Sequence, residues 1–144
     1  MHSWQDDNST IVVLEKGEKL VESLTQFAQL TQINAASLQG LGALEEVELG
    51  YYDLHKKTYK RTTLKGDWEL VAMNGNITLK DGMPFVHVHA ALGGEDFSLK
   101  GGHLFEAVVA VTCEVSLIPH TALIERHAHS AIGLSLCSPH AFDN

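Results

Sequence analysis

Two periodicities run along the chain, one stretch near 3.6 and many short stretches of two. Ile11-Val12-Val13-Leu14 is an apolar run that predicts a short strand, and Gly17 punctuates it. From Glu18 to about Thr31, the apolar positions Leu20, Val21, Leu24, Phe27, Ala28 and Leu30 recur at helical spacing. Glu18 and Glu22 fall in its first turns, where carboxylates suit the positive end of the helix dipole. The pattern predicts one amphipathic helix of about three to four turns. Its apolar stripe has to cover a sheet, because everything after it is patterned as strand.

Ala35 to Leu38 leads into a glycine break at Gly40-Leu41-Gly42, after which Val47 to Tyr52 alternates as a half-buried strand. Tyr59 to Leu64 reads as its hairpin partner across a basic turn. Trp68 to Met73 opens another strand, which Asn74-Gly75-Asn76 is expected to bend before Ile77-Thr78-Leu79. Lys80-Asp81-Gly82-Met83-Pro84 reads as a turn, since Asp-Gly supplies positive φ and proline cannot pair in a central ladder. Pro84 to Ala90 follows as a strand, and Phe97 to Leu99 as a brief one. Val108 to Ile118 is the longest β-branched run and reads as a central strand, buried on both faces at its start. Residues 1 to 9 are polar and read as a loose, flexible N-terminus, with one domain over 10 to 144. The sum predicts an α+β fold: a mostly antiparallel sheet of about seven strands with one principal helix.

Length and composition fit this picture. The chain has 144 residues, 44% of them hydrophobic, enough for one core. No apolar run is long enough for a membrane span and the start lacks a signal-peptide pattern, so a soluble, cytoplasmic protein is expected. Cys113 and Cys137 are the two cysteines, with no ligand spacing, and read as small buried or semi-buried thiols. The formal charge of -8 opposes non-specific attraction to nucleic-acid phosphates and anionic membranes. Lys56, Lys57, Lys60, Arg61 and Lys65 are a local exception, five of the ten basic residues. They read as the solvated edge of a hairpin or, alternatively, as a nucleic-acid contact.

The candidate chemistry lies in histidine. On a strand, His87 and His89 project from one face while Val86, Val88 and Ala90 take the other. Gly101-Gly102 is expected to turn the backbone sharply and bring His103 to the same point. Three neutral nitrogens with a coordination position left over are the composition of an open zinc site. His127-Ala128-His129 repeats the spacing, with His120 and Glu125 nearby, and reads mainly as an exposed terminal segment. A proton-handling partner is sought in Glu106, which would share the face of His103 if a helical turn starts there, and in Glu114 and Glu46. No nucleophile elbow, dinucleotide fingerprint or phosphate loop is present.

Taken in order, Gly17 to Leu20, Leu38 to Leu44, Trp68 to Leu70 with Asn74 to Asn76, Gly82 to His89, Gly101 to Leu104 and Val111 to Val115 resemble the plants-and-prokaryotes conserved domain over about residues 10 to 125. The resemblance implies a β-sheet core and a homotrimer. Plant members carry the domain behind an AT-hook in nuclear proteins, and bare prokaryotic members are often called DNA-binding on that kinship. No Arg-Gly-Arg-Pro core of an AT-hook occurs here. The fold is also similar to that of acetolactate decarboxylase, a zinc enzyme with a paired and a later third histidine, which His87, His89 and His103 match in type and order.

Three readings follow. In the first, a divalent metal, zinc by preference, sits on His87, His89 and His103 and binds a small carboxylate or carbonyl ligand. In the second, a trimer associates with DNA through the basic hairpin. In the third, the domain is an interaction scaffold without metal chemistry. Whether the chain is an enzyme is left open.

Overall fold

A computed structural model describes residues 1–142. Its element order is β1 (His2–Gln5), β2 (Thr10–Glu15), α1 (Leu20–Thr31), β3 (Ala36–Asp53), β4 (Thr58–Lys80), β5 (Met83–Gly93), β6 (Leu99–Pro119), β7 (Glu125–His129) and β8 (Leu134–Cys137). The fold is α+β, one helix on a mostly antiparallel sheet, as the periodicities predict. The strands follow the order β1-β2-β6-β3-β4-β7-β8, and β5 pairs with both β4 and β6. Strands β3, β4, β5 and β6 therefore close a ring.

Helix α1 buries Leu20, Leu24, Phe27 and Ala28, while Leu30, expected on the same stripe, is exposed. The buried side chains join one cluster with Val86, Val88, Leu104, Ala107 and Val109 of β5 and β6. Each fully buried leucine contributes roughly 1.5–3 kcal/mol of transfer free energy. The helix has no side-chain cap at Lys19. Glu106 of β6 supplies one instead: its Oε1 accepts from the Val21 amide at 2.8 Å and its Oε2 from the Glu22 amide at 3.1 Å.

Several predicted boundaries dissolve into long, bent strands. The break at Gly40-Leu41-Gly42 lies inside β3, where register shifts occur between Gly40 and Gly42 and between Glu45 and Val47. Asn74-Gly75-Asn76 continues β4 without interruption. The reason is close backbone approach: a Cβ on Gly75 would stand 2.0 Å from the His87 carbonyl oxygen, and one on Gly42 2.3 Å from that of Thr112. These glycines let strands cross tightly where the sequence reads as a pause.

The turn over Asp81-Gly82 is present, with φ of 53° and 77°, the pair of positive values a two-residue hairpin requires. Pro84 belongs to β5, not to the turn, and stands opposite Leu79. In that ladder Lys80 and Met83 exchange the hydrogen bonds next to the turn, so the nitrogen of Pro84 faces away from β4. Phe97 is a loop residue with φ of 60°, and the expected brief strand starts only at Leu99, as part of β6.

Both chain ends carry more structure than their polarity suggests. Within residues 1 to 9, read as loose, His2–Gln5 forms β1 against Val13 to Thr10 of β2. All four of its side chains are exposed, so no apolar alternation marks it. His127 and His129, read as an exposed tail, lie half-buried on β7. Strand β7 runs parallel to β4 at Leu79 and Lys80 and forms a hairpin with β8. Tyr52 donates its hydroxyl to the Ile132 carbonyl at 2.7 Å and Lys57 its Nζ to that of Ser130 at 3.1 Å, tying the hairpin to the β3–β4 turn.

Candidate metal centre

Strand alternation puts His87 and His89 on the face of β5 opposite the buried Val86, Val88 and Ala90. His103 arrives on the neighbouring strand as the cross-strand partner of His89. One ligand atom from each of His87, His89 and His103 lies within 4.8 Å of the other two. The three could hold a metal ion. The glycine pair before His103 does not turn the chain, because Gly101 and Gly102 are inside β6. It thins the strand instead: a Cβ on Gly101 would meet the Ala90 carbonyl oxygen at 2.8 Å, and one on Gly102 that of Gly50 at 2.8 Å.

The donor set suits a metal ion. His87 and His103 are half-buried and His89 is exposed. Burial first, then the Arg126 charge and the neighbouring imidazoles, hold the pKa of His87 down to about 4. For His103, burial again leads, followed by His89, Arg126 and Arg61, and the value falls to about 4. Both rings are therefore neutral near pH 7, the protonation state of a metal ligand. His103 Nδ1 is buried and has no hydrogen-bond partner. An unpaired buried polar atom costs about 1–3 kcal/mol. An ion held at that nitrogen would relieve the cost.

The surroundings are aromatic and cationic. Tyr59 and Phe105 lie 5.3 Å and 4.5 Å from the His103 ring, centroid to centroid. The Arg61 guanidinium stacks 3.7 Å over Phe105 and pairs with Glu48 at 2.7 Å. Burial, then the Tyr52 hydroxyl, pushes the Tyr59 pKa above its ordinary value. Arg126 of β7 reaches across β4: Nη2 lies 3.0 Å from His87 Nδ1 and donates to Asn76 Oδ1 at 2.9 Å, and Nε donates to Thr78 Oγ1 at 2.8 Å. Neither Arg126 nor its two supports stands out in the sequence. Cross-strand pairing alone places Asn76 beside His87, and Arg126 is marked only by its neighbour His127.

The other candidates lie apart from this cluster. Glu106 is on a strand, not on a helical turn, and its carboxylate faces the start of α1. Glu114 and Glu46 are exposed. His129 stacks on Phe142 with ring centroids 4.5 Å apart, and no metal-ligating group includes it among the described residues. Of the basic hairpin, Lys56 lies 3.9 Å from Asp53, Arg61 is paired with Glu48 and Lys57 is bonded to Ser130. Lys60 and Lys65 are exposed.

The sequence profile of the Plants and Prokaryotes Conserved (PCC) domain matches residues 1–121. The chain belongs to this family. Its structure is similar to that of a plant- and prokaryote-conserved (PPC) protein from Pyrococcus horikoshii, 33% identical, with a TM-score of 0.85 over 98% of this chain and 96% of that one. A metal-containing protein from Archaeoglobus fulgidus is also 33% identical, with a TM-score of 0.86 over 96% of this chain and 99% of the other. A Bacteroides thetaiotaomicron protein described as a candidate DNA-binding protein is 25% identical, with a TM-score of 0.92 over 95% and 96%. Acetolactate decarboxylase from Bacillus subtilis shares the fold alone, at 14% identity and a TM-score of 0.55 over 88% of this chain and 58% of that chain. No curated protein matches this chain. No helix among the described residues is long and apolar enough to cross a membrane.

Proposed function

We propose that this PCC-domain chain is a small metal-binding protein that holds one divalent ion, zinc by preference, through His87, His89 and His103. The observation that carries the reading is the convergence of three imidazoles, one ligand atom from each lying within 4.8 Å of the other two, in a cluster where His103 Nδ1 is buried without a hydrogen-bond partner. Imidazole-only ligation favours zinc among the common divalent ions, since magnesium and calcium select oxygen. Three protein ligands leave a coordination position free for a small carboxylate or carbonyl ligand. An ion so placed supplies Lewis acidity, or a bound water with a pKa near 7.

The metal-containing Archaeoglobus fulgidus neighbour supports the same reading. The working assembly is a homotrimer in the cytoplasm. What supports a self-associating surface is that Ile11, Leu41 and Val71, all exposed, line one surface hollow. DNA is the weaker alternative. Three of the five hairpin cations already have partners, and the net charge of -8 opposes duplex binding.

Metal content of untagged protein, measured by plasma mass spectrometry beside the His87→Ala/His89→Ala variant, tests the proposal. Near one equivalent of zinc per chain in the parent and almost none in the variant is expected. Equal metal in both proteins, or none in either after incubation with zinc, contradicts it.

A further inference from the structure

A neutral imidazole has one lone pair and one N–H, and a guanidinium has only donors. Because Arg126 Nη2 stands 3.0 Å from His87 Nδ1, that nitrogen accepts and the ring proton sits on Nε2. In this arrangement the single lone pair of His87 is engaged by Arg126. An ion bound at Nδ1 takes that lone pair from Arg126. An ion bound at Nε2 sends the ring proton to Nδ1, where it meets the Nη2–H of Arg126 as donor against donor. On either nitrogen, a bond from His87 to a metal excludes the Arg126–His87 hydrogen bond.

What Arg126 does next follows from its setting. It is half-buried, anchored by Nε on Thr78 and by Nη1 on the Ser135 carbonyl at 3.3 Å. It forms no ion pair with a carboxylate among the described residues. Ion entry therefore leaves an anchored guanidinium with a released N–H and an uncompensated charge beside a dication. A small anion meets both demands, and carboxylate geometry matches a guanidinium fork.

We infer that Arg126 couples metal binding to the binding of a small carboxylate: it occupies His87 in the empty site and exchanges that nitrogen for the carboxylate when the ion enters. The inference rests on the three-histidine metal reading and names the ligand class of that site. Arg126 is a positioning and recognition residue in it, not a ligand. Since coupling is reciprocal, acetate raises zinc affinity by the factor by which zinc raises acetate affinity.

The test measures zinc affinity by competition with a chromophoric chelator, with and without acetate and with acetamide as the uncharged control. Parent protein and Arg126→Met are compared, with circular dichroism to establish that both are folded. In the parent, acetate tightens zinc about fivefold or more and acetamide does not. In Arg126→Met, zinc binds more tightly without acetate than in the parent, and the acetate effect falls below about twofold. An equal acetate effect in both proteins overturns the inference and leaves the metal reading standing. Absence of zinc binding in the parent overturns both.

A second measurement needs no variant. Nitrogen-15 spectra of the metal-free parent should show His87 with its proton on Nε2 and Nδ1 as acceptor. A proton on Nδ1 there overturns the inference whatever the acetate result.

Discussion

Replacing Glu106 by alanine separates a cap from a catalytic base. In the structure, one carboxylate from β6 accepts from two amides of the first turn of α1, at 2.8 Å and 3.1 Å, and the helix has no side-chain cap of its own. Removing an N-cap costs about 0.5–2 kcal/mol, and a hydrogen bond to a charged group contributes about 1.5–3 kcal/mol when shielded. The Val21 bond is part-buried and counts near the full amount, whereas the exposed Glu22 amide can turn to water. The sum is about 2–3 kcal/mol for Glu106→Ala. At about 2–4 °C per kcal/mol for a domain of this size, Tm falls by about 4–12 °C. Glu106→Gln keeps an acceptor oxygen and loses the charge, for a loss of about 1 kcal/mol. The assay is thermal and urea unfolding of metal-free protein at fixed concentration, followed by zinc affinity of each variant. Unchanged stability in Glu106→Ala, or a tenfold change in zinc affinity at unchanged stability, refutes the capping argument.

Gly75→Ala should cost about 3 kcal/mol or more and weaken zinc binding, because its Cβ would press on the His87 carbonyl 2.0 Å away; parent-like melting and zinc affinity would contradict this. Metal-free protein should lose stability as pH falls from about 6.5 toward 4. The unfolded chain takes up protons on His87 and His103 in that window, where the folded state, with both values lowered to about 4, does not. Urea midpoints measured between those limits check the sign, and a midpoint that rises on acidification contradicts it. A thiol reagent at pH 8 should modify Cys137, which is exposed, and spare Cys113, whose buried thiol is pushed up to about 12; modification of both without denaturant would refute the assigned burial.

The parts of this fold that are legible in the sequence are those carried by local periodicity. The α1 stripe, the alternation at His87 and His89 and the Asp81-Gly82 turn each depend on neighbours a few residues away. Strand continuity does not. Gly42 and Gly75 look like breaks along the chain, yet they lie where another strand's backbone passes too close for a Cβ. The same difference explains the site. His103 is recognisable as a third imidazole, but it reaches the cluster by pairing across from His89, not by a turn at Gly101-Gly102. Glu106 looks like a base because it follows His103 closely, whereas the helix amides it caps lie 85 and 84 residues earlier. Arg126 enters through β7, whose contact with β4 spans the two pairs Leu79 with Glu125 and Lys80 with Arg126, too short to leave a pattern.

X-ray absorption at the zinc edge on the loaded protein reads the ligands of the ion themselves. Three imidazole nitrogens at about 2.0–2.1 Å are expected, with one light-atom ligand that changes when acetate is added. A shell containing sulfur at about 2.3 Å, or an all-oxygen shell unaffected by His103→Ala, would contradict it.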